Sequence, residues 1–266
     1  MKPVQTIVPN RYKDKICIVT ASSTGTGLAI STRLAQEGAI VIINSRSENN
    51  VKKAVDSLKS LGLRADGIVC NISNKEHRTN LVKIVVEKYG GIDILVLNAA
   101  TNMYFGDLID IPDSMFEKII DSNIKANFFL IKEAFPYMKK RAGNKNILFI
   151  SSFDVYNPRI PGMAPLGAYL ISKTALHQMT HFLGTELRKY KIRVNCIAAG
   201  SLDTLFSESL RKDFEKAGGK TVDLYGMERN GYPEDISNTA AFLLSDEAEQ
   251  IVGEIIVVAG YPSSRL

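Results

Sequence analysis

One stretch near the N-terminus decides the fold of this 266-residue chain: Ile16-Cys17-Ile18-Val19-Thr20-Ala21-Ser22-Ser23-Thr24-Gly25-Thr26-Gly27. Its first five residues are rich in Ile and Val, which predicts a short buried strand. The small residues that follow predict a tight turn, and the segment Gly27 to Glu37 has the spacing of a helix. A strand, a glycine-rich turn and a helix in this order predict the first unit of a doubly wound α/β fold.

The same alternation continues along the chain and predicts a Rossmann-type α/β fold with one doubly wound parallel sheet of about seven strands. The apolar runs do not alternate with polar residues, as expected for strands covered by helices on both faces. The predicted strands are Ile16–Thr20, Ile40–Asn44, Gly67–Cys70, Ile92–Leu97, Asn146–Ile150, Ile192–Ile197 and Ile255–Val258. The predicted helices are Gly27–Glu37, Asn49–Leu61, Lys75–Tyr89, Ser114–Arg141, Gly167–Tyr190 and Glu234–Ser245. Residues 1–266 are predicted to form one domain, with a core at 15–200 and a lid-like excursion at 201–232.

The turn before the first helix is suited to binding a pyrophosphate group. Small residues let the backbone approach the anion, and the helix N-terminus offers free amides and a positive dipole end. A tight turn that serves only packing is the alternative. The predicted contacts to a dinucleotide in this turn are Thr20, Ser22, Ser23, Thr24, Gly25, Thr26 and Gly27.

The end of the second strand indicates which dinucleotide is bound. An acid there favours the ribose hydroxyls of NAD and repels a 2′-phosphate. This chain instead has Asn44-Ser45-Arg46, and its first acid is Glu48. The Arg46 guanidinium pairs well with phosphate and Ser45 can donate a hydrogen bond, so we expect NADP(H). A solvated surface arginine is the alternative.

Tyr169 and Lys173 are the predicted proton-transfer pair. They are spaced i, i+4 near the start of a helix and therefore share one face. A phenol has a pKa near ~10, and a neighbouring cation is expected to lower it. Ser152 ends the fifth predicted strand, at the crevice where doubly wound sheets bind ligands, and is placed to hydrogen-bond a carbonyl oxygen.

Composition and residue spacing argue against several other classes of function. The formal charge of +5 suits an anionic cofactor, but no basic stripe with interleaved aromatics predicts nucleic-acid binding. The apolar runs are too short for a membrane span, and the N-terminus lacks the apolar region of a secretory signal. The three cysteines are expected to be buried thiols, with a redox role as the alternative. His177 and His181 are spaced to share a metal, but no third ligand is apparent, so no metal is predicted.

Taken together, these motifs resemble those of the short-chain dehydrogenase/reductase family over essentially the whole chain. The turn at residues 20–27 is similar to the family's TGxxxGxG motif, with Ala21 in place of the first glycine. Further matches are Asn98-Ala99-Ala100 after the fourth strand, Asn123 in the long helix, the set Ser152, Tyr169 and Lys173, and Ala199-Gly200 with Leu202 and Thr204 after the sixth strand. Asn71 stands where the family commonly has an Asp that contacts adenine.

The resemblance implies a role for each residue. Tyr169 would give a proton to a carbonyl while the nicotinamide delivers hydride. Lys173 would bind the nicotinamide ribose and lower the Tyr169 pKa. Ser152 would hold the substrate oxygen, and Asn123 would anchor a water in a proton relay. The other matched positions would line the cofactor site.

Within the family, the chain resembles a peroxisomal branch that reduces retinal and other carbonyls with NADPH. It shares Ala21, Ser45-Arg46 and the C-terminal Ser264-Arg265-Leu266, a variant of the peroxisomal address read by an import receptor. The resemblance implies a peroxisomal homotetramer, with a cytoplasmic location as the alternative.

The substrate is expected to be a small apolar ketone, aldehyde, alcohol or retinoid-like compound. The candidate pocket residues are Met103, Phe105, Phe153, Tyr156, Met163, Leu205 and Phe206. Ser152 and Tyr169 are 17 positions apart, where the family has about a dozen, so substrate choice is expected to differ. A weakly active or non-catalytic NADP-binding protein that acts through partners is the alternative function.

Overall fold

The computed structural model describes residues 3–156, 166–204, 207–208, 212 and 231–260. Its strands are β1 (Ile16–Val19), β2 (Ile40–Ser45), β3 (Ala65–Val69), β4 (Ile94–Leu97), β5 (Lys145–Ser152), β6 (Ile192–Ala199) and β7 (Ile255–Val258). Its helices are α1 (Gly25–Gln36), α2 (Glu48–Ser60), α3 (Lys75–Tyr89), α4 (Asp113–Ile120), α5 (Ala126–Met138), α6 (Gly167–Leu187) and α7 (Pro233–Leu243). The predicted strands and helices are therefore confirmed, with ends that differ by a few residues, except that the predicted helix Ser114–Arg141 is divided between α4 and α5.

The strands form one parallel sheet in the order β3-β2-β1-β4-β5-β6-β7. β1 pairs with β2 on one side and β4 on the other, so that Ile18 lies opposite both Ile42 and Leu95. The direction of winding reverses at β1, and a crevice is expected there beyond the carboxyl ends of the strands. The predicted doubly wound fold is confirmed.

Helices cover both faces of the sheet, which explains the uniformly apolar strands. Cys17 and Val19 of β1 point into a core with residues of α1, α2 and α7. Ile16 and Ile18 point into a second core with residues of α3, α5 and α6. Because successive side chains of a strand point to opposite faces, both sets must be apolar.

The long helix predicted over Ser114–Arg141 is interrupted in the structure. α4 and α5 are joined by one π-helical turn, Asp121–Lys125, and α5 ends at Met138. The prediction of one regular helix was therefore wrong at this turn. Its cause lies in the contacts of Asn123, which are described below, and π turns are often found at functional sites.

The two ends of the segment between β6 and α7 lie beside each other. Leu202 and Gly231 form a parallel bridge, and the Asp203 amide donates to the Gly231 carbonyl at 2.8 Å. The predicted lid at 201–232 thus has its two ends joined, while most of its interior lies outside the described residues.

Two expectations from composition can be compared with the structure. Cys17, Cys70 and Cys196 are free and buried, as predicted. Within the described ranges, no helix has the length and apolarity needed to cross a membrane.

Candidate functional site

The glycine turn, residues 20–27, presents the N-terminus of α1 to the crevice. Gly25 has φ +56°, a left-handed conformation that glycine adopts without strain. Thr24 precedes the helix, but its side chain makes no capping hydrogen bond, and the first turn of α1 holds no acidic residue. The first amides of the helix therefore lack a side-chain cap, which fits an anionic ligand such as a pyrophosphate.

Gly27 is where this turn packs most tightly. A Cβ atom added there would lie 2.6 Å from the Ala21 carbonyl oxygen, 2.7 Å from Asn98 Nδ2 and 2.8 Å from Ser22 Cα. No side chain fits this space unless the turn moves. The glycine thus brings the helix N-terminus against the backbone of the turn.

Thr20 and Asn98 join the glycine turn to the end of β4. Thr20 Oγ1 accepts hydrogen bonds from the amides of Asn98 and Ala99, both at 3.0 Å. Asn98 Nδ2 donates to the carbonyls of Thr20 at 3.1 Å and Ala21 at 3.2 Å. Thr20 is fully buried, so its side chain shapes the turn rather than facing a ligand.

Ser22 has a similar internal role. Its hydroxyl donates to the Val19 carbonyl at 2.6 Å and accepts from the Asn44 amide at 2.9 Å. Asn44 Nδ2 in turn donates to the carbonyl of Cys70 at 3.3 Å. The buried Asn44 thus ties the glycine turn to the ends of β2 and β3. Of the predicted turn contacts, Ser23, Thr24 and Thr26 keep exposed surface.

The next residues along β2 carry the predicted cofactor selectivity. Arg46 is exposed and makes no hydrogen bond or ion pair with another described residue. Ser45 Oγ accepts from the Ser47 amide at 3.4 Å, and Asn71 Oδ1 accepts from the Ser73 amide at 3.2 Å. A free guanidinium without a neighbouring acid at the strand end fits a phosphate better than a ribose hydroxyl.

The segment after β6 forms the opposite side of the crevice. A Cβ atom at Gly200 would lie 2.7 Å from Ala259 Cα, so the chain passes close to the end of β7 there. Thr204 lies over the glycine turn, with its methyl carbon 3.6 Å from the position of a Cβ at Gly25. Ala199 and Leu202 are buried, and the Leu202 side chain belongs to the core. Of this predicted set, Thr204 therefore lies nearest the glycine turn, facing Gly25.

Asn123 lies in the π turn, is fully buried and connects three elements. Its Oδ1 accepts from the Thr101 amide at 2.8 Å, and its Nδ2 donates to the Thr101 carbonyl and to Ser172 Oγ, both at 2.9 Å. Ser172 Oγ donates to the Tyr169 carbonyl at 2.6 Å. These contacts link the loop after β4 to the first turn of α6, and sequence reasoning missed both Thr101 and Ser172.

Tyr169 and Lys173 lie on one face of α6, as predicted. Lys173 is buried; its Nζ lies 5.4 Å from the centre of the Tyr169 ring and donates to the Ile150 carbonyl at 2.8 Å. Burial lowers the pKa of Lys173 to about 8. Burial, followed by the negative charge of Asp154, raises the pKa of Tyr169 above its usual value. This direction is opposite to the lowered Tyr169 pKa expected from the sequence, because burial disfavours the phenolate.

Ser152 ends β5 beside this pair, and Asp154 holds its hydroxyl. Ser152 Oγ donates to Asp154 Oδ2 at 3.0 Å and accepts from the Asp154 amide at 3.3 Å. Burial raises the pKa of the Asp154 carboxyl, an effect partly offset by the hydrogen bond from Ser152. Sequence reasoning missed Asp154, although its position two residues after Ser152 could have indicated the contact.

His177 lies behind the site rather than at a metal centre. Its Nε2 is 2.9 Å from Ser151 Oγ, which donates to the Lys173 carbonyl at 3.2 Å. Burial lowers the pKa of His177 to about 4, so the ring is neutral at physiological pH. His181 Nδ1 is 2.8 Å from the Gly253 carbonyl oxygen. Both rings therefore have partners of their own, and they support β5 and the turn before β7.

The apolar wall differs from the predicted set. Phe105 packs with Leu166, Tyr169 and Leu170 and therefore lies beside the tyrosine. Phe153 is only 2% exposed, and its place in the pocket stays a prediction. Tyr156 packs on the His177 ring, with the ring centres 5.4 Å apart, and Met103 is exposed. Met163, Leu205 and Phe206 lie outside the described residues.

Comparisons with known proteins find relatives that match nearly the whole chain. A family model described as enoyl-(acyl carrier protein) reductase matches residues 20–261. Dehydrogenase/reductase SDR family member 4 from Oryctolagus cuniculus is 42% identical over 253 residues, which covers 95% of each chain. Tropinone reductase-like 3 from Erythroxylum coca is 39% identical over 265 residues, covering 100% of this chain and 99% of the relative.

Solved structures agree in fold. A 7α-hydroxysteroid dehydrogenase complexed with NADH and 7-oxo glycochenodeoxycholic acid superposes with a TM-score of 0.84 at 29% identity, covering 97% of this chain and 98% of that one. A short-chain dehydrogenase from Burkholderia cenocepacia J2315 in complex with NADP gives 0.82 at 28% identity, covering 95% and 99%. The first of these neighbours holds NADH and the second holds NADP.

Proposed function

Because this chain belongs to the short-chain dehydrogenase/reductase family, we propose that it is an NADP(H)-dependent carbonyl reductase acting on apolar ketones, aldehydes or retinoid-like substrates. The reverse reaction would oxidise the corresponding alcohols. The observation that carries the proposal is the meeting of Tyr169, Lys173 and Ser152 at the carboxyl end of β5. A hydrogen-bonded path through Asn123 connects this place to the loop after β4.

The side chains divide the chemistry among them. The nicotinamide, when bound, supplies hydride to the carbonyl carbon. Tyr169 gives its phenolic proton to the carbonyl oxygen, and Lys173, cationic below about pH 8, stabilises the phenolate left behind. Asn123 fixes the start of α6 against the loop after β4, so the Tyr169 backbone keeps its place. Phe105 beside Tyr169 favours an apolar group on the substrate.

Substitution of the tyrosine tests the reaction class. With purified protein and a panel of apolar ketones, aldehydes, α-dicarbonyls and retinal, NADPH absorbance should fall. Tyr169→Phe should cut turnover by about 10²–10⁴-fold, because it removes the proton donor. Tyr137→Phe, a partly exposed tyrosine on α5, is the matched control and should behave like the wild type. NADPH binding without turnover would instead favour the non-catalytic alternative.

The NADP(H) preference rests on the exposed Arg46 and the missing acid. Arg46→Ala should weaken NADPH binding by about 10–100-fold, the range for a lost charged hydrogen bond, and leave NADH binding nearly unchanged. Arg188→Ala, an exposed arginine at the end of α6, is the control. Equal losses for both cofactors would contradict a 2′-phosphate contact at Arg46.

Assembly and location complete the proposal. Apolar residues are exposed along α5 and α6, at Phe129, Ile171 and Phe182, which supports a homotetramer that would cover them. Light scattering after size exclusion tests the assembly. Peroxisomal import rests on Ser264-Arg265-Leu266, which lies outside the described residues. Deleting this tripeptide from a fluorescently tagged chain should leave the protein in the cytoplasm.

A further inference from the structure

Asp154 places a carboxyl group beside the hydroxyl that is expected to hold the substrate oxygen. It lies in the single turn of 3-10 helix that follows β5, Phe153–Tyr156. The turn is closed by two contacts between the same residues: the Asp154 amide donates to Ser152 Oγ, and Ser152 Oγ donates to the carboxylate. The position of the carboxyl group is therefore set by the backbone of the turn.

The hydroxyl of Ser152 has one hydrogen to give. An ionised carboxylate is only an acceptor, so that hydrogen is committed to Asp154 and a carbonyl oxygen receives none. A protonated Asp154 can instead donate to Ser152 Oγ, which frees the serine hydrogen for the substrate.

We propose that Asp154 is a positioning residue that sets the hydrogen-bond polarity of Ser152. With Asp154 protonated, Ser152 donates to the oxygen of a bound carbonyl and supports its reduction. With Asp154 ionised, the hydrogen of Ser152 goes to the carboxylate, and the bound carbonyl loses this donor. This inference rests on the proposed carbonyl reductase function and adds to it a pH dependence set by Asp154.

Charge acts in the same sense as hydrogen bonding. Negative charge develops on the carbonyl oxygen during reduction, and an ionised carboxylate nearby opposes it. Asp154 also raises the pKa of Tyr169, which makes the phenol a weaker acid. Among the described residues, the other titratable groups of this region include Lys173 and His177 on α6, Tyr156 in the same turn and Cys196 on β6. Burial raises the pKa of Asp154. Ser152 is therefore expected to lose its free hydrogen at a pH above the usual pKa of a carboxyl group.

The pH dependence of kcat/KM tests the proposal. For reduction of an apolar ketone, wild-type kcat/KM should fall as pH rises through the Asp154 pKa. Asp154→Asn keeps the shape of the side chain, stays neutral and can donate to Ser152, so its profile should stay flat over that range. The ratio of variant to wild type should rise from near one at low pH to roughly tenfold or more, because one donor to the developing oxyanion is regained.

Two controls isolate the effect. Asp56→Asn makes the same change on the exposed face of α2, where Asp56 pairs with Lys52, and should leave the profile unchanged. Oxidation of the matching alcohol passes through the same transition state, so at each pH its kcat/KM should change in Asp154→Asn by the same factor as that of reduction. Parallel wild-type and Asp154→Asn profiles for reduction would overturn the proposal, because a purely structural role would scale activity without moving its pH dependence.

A measurement that does not depend on turnover separates this inference from the reductase proposal. Carbon-13 NMR of labelled aspartate, assigned with Asp154→Asn, follows the Asp154 carboxyl directly. Ser152→Ala removes the donor to the carboxylate, so the Asp154 pKa should rise further. An unchanged Asp154 pKa would overturn the coupling. A raised pKa in a protein that reduces no carbonyl would support the coupling and refute the reductase function.

Discussion

Replacing Gly27 by alanine should lower the stability of the fold and should also weaken NADPH binding. The added methyl group would lie 2.6–2.8 Å from the Ala21 carbonyl oxygen, Asn98 Nδ2 and Ser22 Cα. Two of these atoms are backbone, and the third is held by hydrogen bonds to Thr20 and Ala21. None can move away alone, so the N-terminus of α1 must shift relative to the turn.

The magnitude follows from this packing. Inserting a methyl group into a well-packed site costs about 1–3 kcal/mol, and the better helix propensity of alanine returns at most about 1 kcal/mol. A net loss of about 1–2 kcal/mol corresponds to roughly 2–8 °C in Tm for a chain of this size. If the same displacement is felt by the pyrophosphate contacts, about 1.4 kcal/mol of lost binding raises the Kd tenfold.

Calorimetric titration with NADPH and thermal unfolding by circular dichroism measure the two effects separately. Gly67→Ala is the matched control: its methyl group would lie 2.5 Å from Val51 Cγ1 and 3.0 Å from Val55 Cγ2, away from the glycine turn. It should lower Tm and leave the Kd unchanged. If Gly27→Ala lowers Tm but binds NADPH like the wild type, the turn does not hold the pyrophosphate and the reasoning fails.

Three further predictions concern the same region. Ala21 has φ +49°, so Ala21→Gly should raise the free energy of unfolding by up to about 1 kcal/mol in denaturant titrations, whereas Ala29→Gly in helical α1 should lower it. Asn123→Ala should cost about 2–4 kcal/mol, because buried partners lose their hydrogen bonds; Asn80→Ala on exposed α3 should cost nothing measurable, and equal stabilities would contradict the role of the π turn. Lys173→Met should raise the free energy of unfolding at pH 7 by up to about 3 kcal/mol, since burial lowers the lysine pKa from 10.5 to about 8, less the cost of the lost hydrogen bond to the Ile150 carbonyl. This stability advantage of Lys173→Met should shrink as the pH rises from about 8 towards 10.5, where the wild-type lysine is neutral in both the folded and the unfolded state. A difference in the free energy of unfolding that stays constant over this range would contradict the lowered pKa of Lys173.

The layered fold could be predicted because its determinants are local. Runs such as Ile16 to Val19 are apolar on both faces, and such runs alternate with helical spacing, which leaves few arrangements other than a covered parallel sheet. Gly25 and Gly27 could be identified because only glycine suits a turn that approaches a helix end so closely. The pairing of Tyr169 with Lys173 follows from helix geometry alone.

Other features depend on contacts between distant residues, and tertiary structure alone decides them. The π turn at Asn123 forms because its amide bonds Thr101 and Ser172, which approach it only when the sheet and α6 are assembled. The net direction of the Tyr169 pKa shift depends on burial, which local spacing does not report. Whether Ser152 gives its hydrogen to a substrate or to Asp154 depends on the path of the chain after β5. The pattern of apolar and polar residues along the chain therefore determines the layers of the fold and the faces of its helices. Which partner receives a single proton or hydrogen bond depends on how distant residues pack in three dimensions.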